Sequence, residues 1–349
     1  MLTLIASIFV FGLLIIFHEL GHFTVAKWVG IKVHEFSLGL GPKLFGIHKG
    51  ETVYNLRALP VGGFVRMAGM DPEEEAEEDT ERGFNKKTVG QRAAVIFAGP
   101  LMNFILAVVL LALVFLFQGV PVNTTKVQEV IPGYPAERAG IVTGDKIVAI
   151  NGQYAEAWEN LVAMIGERPN EQITVTVKRG DVEKQFDLTT VSDDQDGRGM
   201  IGIVPELGYQ KTGLVSAVAM GFDWTGRVTL MIIDYIPKMI VGQEPADLGG
   251  PVRVVAEIGK AAQVGVLFLI QLAAFLSINL GLFNLFPIPA LDGSRIFFLG
   301  WEKVFGRPVD PVKENYIHMI GLGLLLMLMV FITYNDIIQI FLTQQSGQQ

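Results

Sequence analysis

Four stretches of the chain, 2–26, 92–117, 265–286 and 316–342, are apolar almost throughout. At 1.5 Å per residue each can cross a hydrocarbon layer about 30 Å thick. Lipid offers no partner to a free backbone N–H or C=O, so spans of this kind must be helices. The expectation is a multi-pass α-helical membrane protein with four transmembrane helices. The first stretch has no basic leader and no small-residue cleavage site, and is expected to be a retained span rather than a signal peptide. Residues 214–241 are also apolar but carry Asp223, Arg227, Asp234 and Lys238 at helical spacing. They are expected to form an amphipathic helix against the membrane rather than a fifth span.

Basic residues orient the spans. The loop 28–91 and its borders carry ten lysines and arginines from Lys27 to Arg92, whereas the N-terminus and the tail after 342 carry none. By the positive-inside rule that loop is cytoplasmic, both termini lie outside, and residues 118–263 face the exterior. The chain is expected in the plasma (inner) membrane. Its net charge of -8 comes largely from the acidic run at 71–81, expected to be a solvated loop, and no basic nucleic-acid surface is present. With no cysteine, disulfides, thiolate metal sites and thiol nucleophiles are all excluded.

The first span contains H-E-L-G-H at 18–22. On a helix, histidines at i and i+4 share a face and are spaced to hold one zinc ion, with the intervening glutamate beside them to take a proton from water. His18 and His22 are therefore candidate metal ligands and Glu19 a candidate general base. Burying three ionisable groups in lipid is costly unless they are paired or metal-bound. Catalytic zinc takes three protein ligands. The best third candidate is Asp292, in N-L-F-P-I-P-A-L-D-G at 284–293. Two prolines break the helix there, and irregular backbone at membrane depth is tolerated only in a protein-lined cavity. With four spans, the first and third run in the same direction, so their cytoplasmic ends bring the histidines and Asp292 to one level. A fifth span at 214–241 would place Asp292 on the opposite side.

H-E-L-G-H in the first span, G-P-L-M-N at 99–103 in the second and N-x-x-P-x-P-x-L-D-G at the end of the third resemble the bacterial site-2 protease family of intramembrane zinc metalloproteases, the group that includes the regulator of sigma-E protease. The resemblance covers nearly the whole chain. It implies zinc held by His18, His22 and Asp292, with Glu19 as the base. It also implies substrate-backbone or oxyanion roles for Asn284 and Asn279, for which interhelical hydrogen bonding is the alternative. Implied substrates are single-span membrane proteins, such as trimmed anti-sigma factors or leftover signal peptides. The loop 55–67 resembles the family's membrane-associated β-hairpin, with Val53, Leu59, Val61, Phe64 and Val65 alternating around a turn at Gly62 and Gly63. Its edge could extend a substrate into a strand, or simply shield the cavity.

Residues 123–208 look like an inserted, extracytoplasmic α+β PDZ domain of the bacterial type, with G-D-K-I at 144–147 and N-G at 151–152 marking turns between strands. Some family members carry two such domains; this chain carries one. The strand at 198–205 resembles a displaced peptide-binding strand, so Gly199, Met200, Ile201 and Gly202 are candidates to hold a peptide C-terminus. A size filter over the protease is the competing role. The expected organisation is a core half at 1–117, the PDZ domain, an amphipathic segment at 209–263 and a second core half at 264–349. Two rival readings of the same residues are a zinc transporter and a membrane-anchored PDZ scaffold with a structural metal.

Overall fold

The computed structural model describes residues 1–70, 81–193, 196–245 and 249–346, so the acidic run at 71–80 lies outside the described residues. The chain first forms α1 (Leu2–Trp28), β1 (Val33–Lys49), β2 (Thr52–Met67) and α2 (Val89–Gln118). There follow β3 (Val120–Val130), α3 (Pro135–Ala139), β4 (Lys146–Ile150), β5 (Gln153–Tyr154), α4 (Trp158–Gly166), β6 (Gln172–Arg179), β7 (Val182–Thr189), β8 (Val191–Ser192), β9 (Gly199–Met200) and β10 (Ile203–Gln210). The last elements are α5 (Leu214–Ile240), α6 (Pro251–Val264), α7 (Val266–Asn284), α8 (Asp292–Phe305) and α9 (Pro311–Ser346). Two units result: Met1–Leu116 with Gly213–Gln349, and Phe117–Thr212.

In the first unit, four helices among the described residues are long and apolar enough to cross a membrane: α1, α2, α7 and, over Val312–Gln339, α9. α5 is not one of them. Its charges pair along its own surface, Arg227 with Asp223 at 2.7 Å and Lys238 with Asp234 at 2.6 Å, while Ala217, Gly221 and Thr225 form its buried face. Small residues let the helices approach closely, as expected where lipid gives no hydrophobic drive to association. A Cβ on Gly21 of α1 would lie 2.2 Å from the Ala98 carbonyl oxygen of α2, and one on Gly281 of α7 would lie 3.0 Å from that of Pro100. The apolar core between them is built from Val10 and Leu14 of α1, Leu106 and Leu110 of α2, Ile258 of α6 and Ala274 of α7. Asp336, buried in the last span, accepts N–H bonds from Gly250 (3.2 Å) and Arg253 (3.0 Å), and so caps the N-terminus of α6.

β1 and β2 make a sheet that differs from the short hairpin predicted at 55–67. Their connection is at Gly50–Glu51, with Lys49 opposite Thr52. Both strands bend, β1 at Gly39 and Gly41 (φ +88° and +82°) and β2 at Gly62 (φ +87°), because glycine alone adopts such backbone without strain. Residues 35–38 are consequently paired on both sides, with Val53–Leu56 on one and Gly63–Arg66 on the other. Gly62 is thus a bend and Gly63 a strand residue, and the partner strand comes from 33–49, where Gly39, Gly41 and Pro42 obscure the alternation. Within the sheet, Arg57 donates to Glu35 (2.6 Å) and Ser37 (2.8 Å). Burial pushes the Glu35 carboxyl up, but hydrogen bonds from Arg57 and Asn55 outweigh it and hold the group below its ordinary range.

The second unit has a main sheet of order β10-β3-β4-β6-β7, with β5 beside β4. Alternation along β6 buries Ile173, Val175 and Val177, which join Val127 of β3 and Ile147 and Ile150 of β4 in one core with Leu161 and Ile165 of α4. Each such side chain contributes about 1.5–3 kcal/mol. Asn151 and Gly152 take positive φ (50° and 78°) between β4 and β5, as the N-G pair predicts. This is a PDZ fold. The segment 198–205, predicted as one strand, is two: Gly202 turns at φ +79°, so β9 pairs with β8 and β10 with β3.

Candidate metal centre

α1 is continuous through His18, Glu19 and His22, its sequence having no proline and Gly21 being held against α2, and the two imidazoles share one face. α7 ends at Asn284, the chain turns through Pro287 and Pro289, and α8 opens on Asp292. Asp292 Oδ2 lies 3.1 Å from His18 Nε2 and 3.3 Å from His22 Nε2, and the two Nε2 atoms are 3.3 Å apart. Ligands at about 2.0–2.1 Å from a tetrahedral zinc sit about 3.3 Å from one another. The three atoms therefore have the spacing of a zinc triad.

The surroundings fix which ring atoms face inward. His22 Nδ1 donates to the Val95 carbonyl at 2.9 Å, which leaves a lone pair on Nε2. The Asn103 carboxamide lies 3.1 Å from His18 Nδ1 through Nδ2, and its Oδ1 is buried without a partner. Turning that amide over lets Oδ1 accept from His18 Nδ1–H, which satisfies the oxygen and leaves the second Nε2 lone pair facing in. Asp292 Oδ2 is likewise buried without a hydrogen-bond donor. Three lone pairs then converge, an arrangement a cation relieves and a hydrogen-bond network does not. Gly99 keeps the space beside them open, since a Cβ there would lie 2.2 Å from His22 Nε2. The residues fit zinc.

The cavity beside the triad, about 250 Å³, is lined by His18, Glu19, His22 and Asp292 and, on the sheet side, by Gly63, Phe64 and Val65. A Cβ on Gly63 would lie 2.9 Å from Glu19 Cγ, so glycine lets the β2 backbone reach the glutamate. Arg57 stacks on Phe64 with its guanidinium carbon 5.0 Å from the ring centre. Arg92 of α2 donates to Glu302 of α8 at 2.5 Å, tying together the helices that carry Gly99 and Asp292.

The remaining predicted residues lie elsewhere. Asn279 Nδ2 donates to the Phe275 carbonyl of its own helix at 2.8 Å, and neither it nor Asn284 lines the cavity. In the PDZ unit, Gly199 and Met200 pair with Ser192 and Val191, and Ile201 is buried in the core. The groove along α4, about 640 Å³, is lined instead by Arg198, Asn123, Trp158 and Val162. Asn103 and Gly99 received no role from the sequence alone. The signal available was a carboxamide and a Gly-Pro pair inside an otherwise apolar span.

His18, Glu19 and His22 on a helix able to span a membrane, meeting Asp292 of α8 at one cavity, define a membrane zinc metalloprotease. The model of peptidase family M50 matches residues 6–328. The chain is 36% identical over 418 residues to the regulator of sigma-W protease RasP of Bacillus subtilis (strain 168), covering 97% of this chain and 99% of that protein. It is 36% identical over 423 residues to the zinc metalloprotease RasP of Geobacillus kaustophilus (strain HTA426), with coverages of 97% and 99%. Among solved structures, the PDZ domain of the SdrC-like protein Lmo2051 from Listeria monocytogenes is similar at 24% identity over 25% of this chain and 87% of that one, with a TM-score of 0.21. The chain belongs to peptidase family M50.

Proposed function

We propose that this membrane zinc metalloprotease hydrolyses a peptide bond in the transmembrane segment of single-span proteins, close to the cytoplasmic face. The observation that carries the reading is the convergence of two imidazole lone pairs and the Asp292 carboxylate in a cavity that Glu19 also lines. His18, His22 and Asp292 hold the metal. Bound there, zinc supplies Lewis-acid polarisation of the scissile carbonyl and acidifies water. Glu19 takes the proton of the attacking water and returns it to the leaving amine nitrogen. The outer edge of β2 at Gly63–Val65 holds the substrate as an added strand, exposing a backbone that a helix would hide. Asn284, the last residue of α7, is assigned to the substrate backbone or the oxyanion. Asn279 keeps a secondary place, because its amide already serves Phe275.

The orientation follows the basic loop: both termini and the PDZ unit outside, the active site toward the cytoplasm. Trimmed anti-sigma factors and remnant signal peptides have the required single span. The test is co-expression of a single-span substrate, tagged on its cytoplasmic side, with wild type or Glu19→Gln. Wild type should release a soluble tagged fragment and the variant none, a loss of at least about 10²-fold. Equal release by both contradicts the assignment of Glu19.

The PDZ unit is assigned a peptide, with the α4 groove as its site. Deleting 123–208 should then reduce cleavage of trimmed substrates. If untrimmed substrates instead become cleavable, the unit is a filter.

A further inference from the structure

We propose that His318 is a positioning residue for the metal-ligating carboxylate of Asp292, acting through the backbone of Ala290. The proposal rests on the reading of Asp292 as a zinc ligand. The peptide between α7 and Asp292 is held by few bonds of its own: Ile288 N–H to the Phe286 carbonyl at 2.7 Å and Leu291 N–H to that of Ile288 at 3.1 Å. Within it Ala290 takes φ +74°, a left-handed conformation that a non-glycine residue holds only where its surroundings impose it. The N–H of Ala290 donates to His318 Nδ1 of α9 at 3.0 Å.

Nδ1 can accept only if the proton sits on Nε2. The ring makes an edge contact with Phe298 of α8 (centroids 5.9 Å apart), and its Nε2 is buried with Glu314 Oε1 3.7 Å away, beyond hydrogen-bond reach. One turn further along α9, Gly321 permits the close approach. A Cβ there would lie 2.2 Å from Pro289 Cβ and 3.0 Å from the Pro289 carbonyl carbon and oxygen. From the other side, Gly293 folds the start of α8 onto the end of α7, with the position of a Cβ 2.2 Å from the Phe286 carbonyl oxygen. The turn that presents Asp292 is therefore clamped between the end of α7 and one face of α9, and His318 makes the polar bond of that clamp. A carboxylate two residues past a left-handed alanine stays aimed at His18 and His22 only while that backbone conformation is held. Outer partners that orient a ligand in this way typically change metal affinity 10–100-fold when lost.

The test uses the full-length protein with His318→Phe, which keeps a ring but removes the acceptor, and His318→Asn, whose Oδ1 falls near the position of Nδ1. Zinc affinity is read by chelator competition, and deuterium uptake is followed over residues 287–292. The phenylalanine variant is expected to lose about 10-fold or more in zinc affinity, with faster uptake in that segment, and the asparagine variant to stay within about 3-fold of wild type. Unchanged affinity and uptake in His318→Phe overturn the proposal. Equal damage in both variants also overturns it, since the ring's bulk and not its acceptor would then matter. Asp292→Ala in the same series separates the two levels: if it leaves zinc affinity unchanged, the ligand assignment itself fails, whereas loss there beside a silent His318→Phe removes only this inference. Should His318→Phe not accumulate, Gly321→Ala drives a methyl into Pro289 from the same helix face, and wild-type zinc affinity in that variant overturns the proposal.

Discussion

Two buried carboxylates, one in each unit, show how a structural acid differs from a functional one. Asp145 in the PDZ unit is fully enclosed and saturated with donors: Arg179 gives Nε to Oδ1 at 2.7 Å and Nη2 to Oδ2 at 2.8 Å, and the Val142 N–H adds a third bond at 3.0 Å. Asp292 has its inner oxygen just as deep, but its neighbours are two imidazole nitrogens whose partners leave lone pairs pointing at it. The first carboxylate is complete within the fold. The second is complete only with a cation, which makes its position a matter of chemistry rather than stability.

The largest test of this contrast is Gly99→Ala. Its methyl would land 2.2 Å from His22 Nε2, so the imidazole must move out of the triad, and zinc affinity should fall about 100-fold while the PDZ unit keeps its stability. Chelator competition measures the first and hydrogen exchange over 120–210 the second. Affinity within twofold of wild type would break the described packing of α1 on α2.

Asp145→Asn should give the mirror image: the PDZ unit loses stability, because the charge-assisted pairing with Arg179 is lost, and zinc affinity does not change. Burial alone would raise the Asp145 carboxyl, but the Arg179 and Val142 hydrogen bonds reverse it and hold the group below its ordinary range. A depressed folded value means that this stabilisation is complete above the ordinary aspartate pKa of about 3.9 and is lost as the pH falls through the lower folded one. Exchange protection of 141–150 should therefore decline in wild type only below that range. An asparagine variant as stable as wild type at neutral pH would contradict the saturated-pair account.

How much was legible in the sequence follows the same division. His18, Glu19 and His22 could be read because one helix sets their spacing, and Asp292 because two prolines beside a carboxylate at the end of an apolar span demand a reason. Asn103 could not be given its role, since 85 residues separate it from His18 and only the packing of α1 on α2 joins them. The sheet is half legible: alternation marks β2, but β1 is masked by the glycines that let it bend, so the pattern points to a turn at Gly62 and Gly63 instead of Gly50. The family resemblance implies a substrate role for Asn279, yet a carboxamide can satisfy itself one turn back along its own helix. In the PDZ unit, the strand at 198–205 concealed a break, because glycine's tolerance of positive φ at Gly202 leaves no mark on the hydrophobic pattern.

The central claim is that His18, His22 and Asp292 together hold one zinc ion. Its most direct test is the zinc content of the purified full-length protein as wild type, Glu19→Gln, His22→Ala and Asp292→Ala. One zinc per chain in the first two and none in the last two is the result the account predicts; zinc retained by His22→Ala and Asp292→Ala would contradict it.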